Sequence, residues 1–118
     1  MKDRAPILVV DDDAEMRAYL EIALTGQGHV VVSASSPSEC GPDLVPCLAL
    51  VDLVTRGEPA IPLIRRLAAA GVPVVVMTGL SGESPVVTAC MEAGGGWRLS
   101  KPFSLSALRA LVAELTGP

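Results

Sequence analysis

Short runs of aliphatic residues alternate along the chain with longer stretches in which apolar residues recur at the spacing of one helix face. An uninterrupted aliphatic run is the mark of a strand covered on both sides. Its alternation with helical periods predicts a parallel α/β sheet. Five runs qualify as strands, at residues 7–10, 30–33, 48–51, 74–77 and, more weakly, 97–99. Between the first two, a helix over 13–25 places Met16, Leu20, Ala23 and Leu24 on one stripe, with Gly26 and Gly28 as stop signals. A second helix, over 36–44, is a poor one, because Pro37, Gly41 and Pro42 limit it to a turn or two. The third, over 60–70, turns Ile61, Ile64, Leu67 and Ala68 inward, tolerates Pro62 in its first turn and ends at Gly71. The fourth, over 84–93, buries Val87, Cys90 and Met91. The fifth starts at Ser104 as N-cap and repeats Leu105, Leu108, Leu111, Val112 and Leu115.

Five such βα units joined by right-handed crossovers predict a doubly wound, five-stranded parallel sheet in the flavodoxin-like order 2-1-3-4-5, with helices on both faces. Ligands of such sheets bind outside the carboxyl ends of the strands, where the chain turns opposite ways from neighbouring strands one and three. The residues that follow the aliphatic runs are therefore the candidates for function.

With 118 residues the chain is expected to form one domain over 1–118, without room for a second, output domain. Aromatic residues are limited to Tyr19, Trp97 and Phe103, so the core must be built from Val, Leu, Ile and Ala. A net charge of −4 argues against direct binding to nucleic acid, which relies on clustered Lys and Arg. Cys40, Cys47 and Cys90 are odd in number and lack Cys-x-x-Cys spacing. They read as reduced, mostly buried thiols, and neither a disulfide framework nor a zinc site is indicated. The aliphatic runs fall far short of the ~18 residues of a membrane span, and no cationic leader precedes the first strand. A soluble, cytoplasmic protein with no membrane partner is expected.

The carboxyl ends of the strands carry a consistent set of residues. Asp11, Asp12 and Asp13 follow the first run, Asp52 the third, Thr78 the fourth, and Lys101 with Pro102 the fifth. Neighbouring strands lie ~4.8 Å apart, which brings Asp52 within reach of Asp11 and Asp12. Anions that close repel unless a cation or a proton sits among them. Oxygen-only ligands with room for water select a hard ion, and Mg²⁺ is the usual one. The Thr78 hydroxyl is placed to donate to a group on Asp52, and the Lys101 ammonium to pair with an anion over the pocket. Such a set suits phosphoryl transfer with Asp52 as nucleophile. Taken singly, each residue has a plainer role: an aspartate caps a helix, which we assign to Asp13, a threonine satisfies strand-end backbone, and a lysine is solvated. Their joint placement on one sheet edge separates them from those roles. His29 has no second ligand in range and reads as structural.

The runs Ile7-Leu8-Val9-Val10-Asp11-Asp12-Asp13, Leu48-Ala49-Leu50-Val51-Asp52, Val74-Val75-Val76-Met77-Thr78 and Lys101-Pro102-Phe103 together resemble the receiver domain of two-component response regulators and hybrid histidine kinases. The resemblance covers essentially the whole chain, and four separated motifs in the right order make it specific. It implies that Asp52 is the phosphoacceptor, that Asp12, Asp52 and the backbone carbonyl of Val54 ligate Mg²⁺, and that Asp11 acts as an outer ligand through water. It further implies that Thr78 and Lys101 bind the phosphoryl oxygens and that the Lys101-Pro102 peptide is cis. The partners it implies are a histidine kinase or histidine phosphotransfer protein and a downstream protein or attached domain. The chain is then a signalling module that assists only its own phosphoryl transfer and autodephosphorylation, not an enzyme.

Three features depart from the family pattern. The loop usually written Met-Pro-x-x-Asp-Gly is replaced here by Leu53-Val54-Thr55-Arg56-Gly57-Glu58-Pro59-Ala60. At the aromatic switch position, three before the lysine, stands Arg98, with Trp97 one step earlier. In the family an aromatic ring there couples the site to the face of the fourth helix, fifth strand and fifth helix. A buried arginine is costly without a partner, so Arg98 is expected to point outward or to pair with an anion, unless a shifted register lets Trp97 serve. The positions two after Asp52 and two after Thr78 are the apolar Val54 and Leu80, from which slow autodephosphorylation is expected. On the first helix Glu15, Ala18 and Ile22 are expected to face away from the sheet. Two other functions fit parts of the pattern. A receiver-like interaction domain that is never phosphorylated is favoured by the altered loop and Arg98. A haloacid dehalogenase-type phosphatase would share Asp11-Asp12-Asp13 but needs a later acidic pair after a strand, and beyond Lys101 only Glu114 is acidic.

Overall fold

The computed structural model describes residues 5–55, 57–80 and 83–117. Residues 1–4, Arg56, Ser81, Gly82 and Pro118 lie outside the described residues, and with them one position of the altered loop and the ends of the expected 1–118 domain. The elements are β1 (Ile7–Val10), α1 (Ala14–Gly26), β2 (Val31–Ala34), β3 (Leu48–Asp52), β4 (Val54–Thr55), β5 (Glu58–Pro59), α2 (Ile61–Ala69), β6 (Val74–Thr78), α3 (Pro85–Ala93), β7 (Trp97–Ser100) and α4 (Leu105–Thr116). The main sheet runs β2-β1-β3-β6-β7, and every pairing in it is parallel. Counted along these five strands, this is the expected order 2-1-3-4-5.

Strand alternation divides the core into two layers. Leu8, Val10, Ala49, Val51, Val74 and Val76 pack under α2 and α3, against Leu63, Ile64, Leu67, Val87 and Cys90. Ile7, Val9, Leu48, Leu50, Val75, Met77 and Leu99 pack on the other side, under α1 and α4, against Leu20, Leu24, Leu108 and Val112. Both faces of β1, β3 and β6 are therefore dry, which is why those strands read as unbroken aliphatic runs. At ~1.5–3 kcal/mol for each fully buried aliphatic side chain, this double layer is the main stabilising term. Ser104 caps α4 by accepting from the Ala107 N–H, and Ser84 caps α3 by accepting from the Val86 N–H.

The structure corrects the sequence expectation at three places. The second helix is not formed: residues 36–44 contain only a single 3₁₀ turn, Pro37–Glu39. The segment satisfies its backbone otherwise, for the Glu39 carboxylate accepts from the Ser35 N–H and hydroxyl, and the Arg66 guanidinium donates to the carbonyls of Gly41, Pro42 and Leu44. Second, an antiparallel hairpin absent from the sequence expectation joins β4 to β5, Val54 facing Pro59 and Thr55 facing Glu58. Glu58 then ties that hairpin to the 3₁₀ turn by accepting from the Ser38 N–H and hydroxyl. Third, β2 is shifted by one residue, and β3, β6 and β7 each run one residue further, because the ladder continues past the last aliphatic side chain. Asp52 and Thr78 are consequently the final residues of their strands.

Of the thiols, Cys90 is buried and Cys40 and Cys47 are half-buried; all three are free, and burial pushes their pKa up. Glu15, Ala18 and Ile22 are exposed on α1 as expected.

Candidate functional site

The site forms where β1, β3, β6 and β7 end on one edge of the sheet. Asp11 follows β1 directly and is 1% exposed. Its N–H extends the ladder to the Ala34 carbonyl, its Oδ1 accepts from the Asp13 N–H at 2.9 Å, and its Oδ2 accepts from Lys101 Nζ at 2.8 Å. Asp13 caps α1, as expected, by accepting from the Glu15 N–H. Asp12, between them, is exposed. Asp52 ends the neighbouring strand; its Oδ1 accepts from the Leu53 N–H at 2.9 Å, and its Oδ2 lies 3.6 Å from Lys101 Nζ. Carboxylate oxygens of Asp11, Asp12 and Asp52 all lie within 4.8 Å of one another. Oxygens ~2.1 Å from one magnesium ion stand up to ~4.2 Å apart, so this donor set fits a small hard cation after modest closure.

Thr78 is buried at the end of β6, next to β3, where Asp52 pairs with Met77. Its hydroxyl accepts from the Leu80 N–H at 2.8 Å, and its carbonyl accepts from the Lys101 N–H at 2.7 Å. That second bond fixes where the lysine leaves β7. The Lys101-Pro102 peptide is cis.

Electrostatics follow from this crowding. Desolvation raises the Asp52 carboxyl above its ordinary pKa; the Lys101 charge opposes the rise, and Asp11 and Asp12 add to it. For Lys101 burial alone would lower the pKa, but the hydrogen bond to Asp11 and the charges of Asp52 and Asp11 outweigh it, and the net shift is upward. The ammonium thus stands in as the local counter-charge between two carboxylates. The cluster can accept a divalent cation, and Asp52 presents a carboxylate oxygen at its half-open side.

The structure brings together Asp11, Asp12, Asp52 and Lys101, with Thr78 at the end of the next strand. Val54 lies in the hairpin two residues beyond Asp52. The two switch candidates fall on opposite faces of β7. Arg98 is exposed and lines a groove with Val87, Thr88, Met91 and Glu92 of α3, whereas Trp97 packs half-buried into the layer under α1 and α4. Arg98 therefore takes the outward course expected of it. Sequence reasoning missed Arg17, whose guanidinium donates to the Asp11 backbone carbonyl at 2.7 Å. Its only signal is a cationic residue one turn into the helix that follows the aspartates.

The family model described as the response regulator receiver domain matches residues 7–113. The chain belongs to the receiver family. This receiver is 36% identical over 113 residues to the DNA-binding response regulator MtrA of Mycobacterium tuberculosis, an alignment covering 92% of the chain and 49% of the relative. It is 32% identical over 114 residues to the virulence transcriptional regulatory protein PhoP of Salmonella typhimurium, covering 92% and 50%. The chain spans about half the length of the curated relatives it matches. Among solved structures, a putative response regulator from Chloroflexus aurantiacus superimposes with a TM-score of 0.83 at 26% identity, covering 97% of this chain and 98% of the other. The receiver domain of a sensor histidine kinase from Pseudomonas aeruginosa, which holds a magnesium ion in its active site cleft, gives a TM-score of 0.84 at 20% identity, covering 98% and 100%. At that identity the second likeness shows the fold. The receiver is thus a two-component signalling domain. The expectation of no nucleic-acid partner gains no support from a relative named for DNA binding. Among the described residues no helix is long and apolar enough to cross a membrane.

Proposed function

We propose that the chain, residues 1–118, acts in the cytoplasm as a phosphoacceptor receiver, with Asp52 taking a phosphoryl group from a phosphohistidine of a histidine kinase or phosphotransfer protein. The observation that carries this is Lys101 held between Asp11 and Asp52 beside three carboxylates within 4.8 Å of one another. An Asp52 oxygen attacks phosphorus, the P–N bond of the donor breaks, and the imidazole leaves; the product is an acyl phosphate on Asp52. Mg²⁺, held by Asp12, Asp52 and the Val54 carbonyl with Asp11 as an outer ligand, would neutralise charge on the transferring group. Transfer adds roughly −2 of charge at Asp52. Lys101, now 2.8 Å from Asp11 and 3.6 Å from Asp52, shifts its bond toward the new anion, and the Thr78 hydroxyl donates to a phosphoryl oxygen. Movement of Thr78 is then read at the face of α3, β7 and α4, with Arg98 rather than Trp97 on the α3 side. The receiver catalyses nothing beyond its own phosphorylation and hydrolysis, the latter slowly, because the positions two after Asp52 and two after Thr78 carry the apolar residues Val54 and Leu80. Its output passes to a downstream protein or an attached domain.

The test is incubation with acetyl phosphate, or with beryllofluoride, and Mg²⁺, comparing wild type with Asp52→Ala by intact mass and by thermal shift. A wild-type adduct lost in the variant supports the proposal. Absence of any Asp52-dependent response would favour the second reading, an interaction domain that is never phosphorylated, to which the hairpin replacing the usual loop and the exposed Arg98 lend weight.

A further inference from the structure

We infer that Arg17 is a positioning residue for the cation site, acting through the backbone of Asp11; the inference rests on the receiver function proposed above. Arg17 sits one turn into α1, and its backbone N–H donates to the Asp13 carbonyl at 3.0 Å, so its Cα is fixed to the loop it serves. Its half-buried side chain turns back toward β1 and donates from a guanidinium nitrogen to the Asp11 carbonyl at 2.7 Å. With the Asp11 N–H bonded to Ala34 and both carboxylate oxygens taken by the Asp13 N–H and Lys101, every polar group of Asp11 is then engaged. Asp11 and Asp12 are consecutive, so the peptide whose carbonyl Arg17 holds is the one that sets the direction in which Asp12 leaves the strand. Without that bond the peptide is free to turn, and the oxygens of Asp11 and Asp12 lose their shared aim.

Charge and positioning give opposite signs here. Removing a cation from beside an acidic cluster should tighten binding of a divalent ion by simple Coulomb attraction. Releasing the peptide should weaken it, since groups that orient metal ligands are typically worth 10–100-fold in metal affinity. Magnesium chloride is titrated calorimetrically into the whole chain, wild type, Arg17→Met and Arg17→Lys, with folding of each checked by circular dichroism and urea titration. The expected result is a dissociation constant about tenfold higher in Arg17→Met, in part restored in Arg17→Lys, which keeps a donor long enough to approach the carbonyl. Equal or tighter binding by Arg17→Met overturns the inference, and so does an Arg17→Lys variant no better than Arg17→Met. Should Arg17→Met not fold, Arg17→Gln, too short to reach the carbonyl, is held to the same criterion. Failure of wild type itself to take up magnesium would instead overturn the receiver proposal and this inference with it, so the two failures are distinguishable.

Discussion

At Asp52 function and stability pull in opposite directions. Its carboxyl is desolvated and faces Asp11 and Asp12, with Lys101 as partial compensation, and its pKa in the folded chain is raised. A carboxyl raised on folding favours the folded state fully below its unfolded value of 3.8, and that contribution is lost as pH rises through the folded pKa. Without metal, Asp52→Asn is therefore expected to be more stable than wild type at pH 7, with the gap closing as pH falls toward 3.8; urea midpoints at several pH values check this. Lys101 has the converse role. Its raised pKa means that its stabilising contribution holds below the ordinary value of 10.5 and is lost as pH climbs through the folded value. Lys101→Met strands the buried Asp11 carboxylate and is expected to cost about 2–4 kcal/mol in urea unfolding, less than a fully buried pair because the lysine is 24% exposed, with Asp11→Asn in the same chain recovering much of the loss. The candidate residues Asp11, Asp12, Asp52, Thr78 and Lys101 were legible because a strand end is marked by the last aliphatic residue of a run. Arg17 was not, since a cationic residue one turn into a helix does not by itself tell that its side chain folds back onto the strand before it.

The elements show where pattern succeeds and where it stops. Aliphatic runs and helical stripes located all five main strands and four helices, as periodicity survives even when a boundary slips by one residue. The stretch 36–44 carried a weak helical pattern, but Pro37 and Pro42 lack the N–H a helix interior needs and Gly41 adds an entropic cost, and what satisfies the segment instead is a distant arginine that no local rule announces. Arg66→Ala should then release the carbonyls of Gly41, Pro42 and Leu44, costing about 1–2 kcal/mol and speeding amide exchange around residues 41–46 while β1 and β3 stay protected. The hairpin of β4 and β5 escaped for a related reason: two residues a side leave no period to read. Between α2 and α3 the approach is close enough to require glycine. Gly94 has φ of 136°, and a Cβ there would overlap the Ala68 methyl. Gly94→Ala is expected to destabilise by about 2–3 kcal/mol through combined backbone strain and overpacking, measured as a lower urea midpoint.

On the scale of the whole molecule, two dry layers clamp β1, β3 and β6 so that their ends cannot move apart, and the charged cluster is built on that fixed edge. The layers supply the stability that the cluster spends in holding like charges together. Ligands that neutralise the cluster should return that energy as thermal stability, since anything that binds only the folded state stabilises it by RT ln(1 + [L]/Kd). At a hundredfold excess over Kd this is ~2.7 kcal/mol, which for a chain of this length corresponds to a rise in Tm of the order of 10 °C. Wild type with Mg²⁺ and beryllofluoride should show that rise, and Asp52→Asn, lacking the carboxylate that beryllofluoride must join, should not. The ranking would thus invert between conditions: the asparagine variant melts higher in the absence of ligands, the wild type higher in their presence. Differential scanning fluorimetry of the two proteins with and without the ligands measures all four values. A fixed ranking across the conditions would remove one of the two properties from Asp52, the electrostatic strain if the wild type always melts higher and acceptance of the phosphoryl mimic if the variant always does, whereas a crossing ties both properties to one carboxylate.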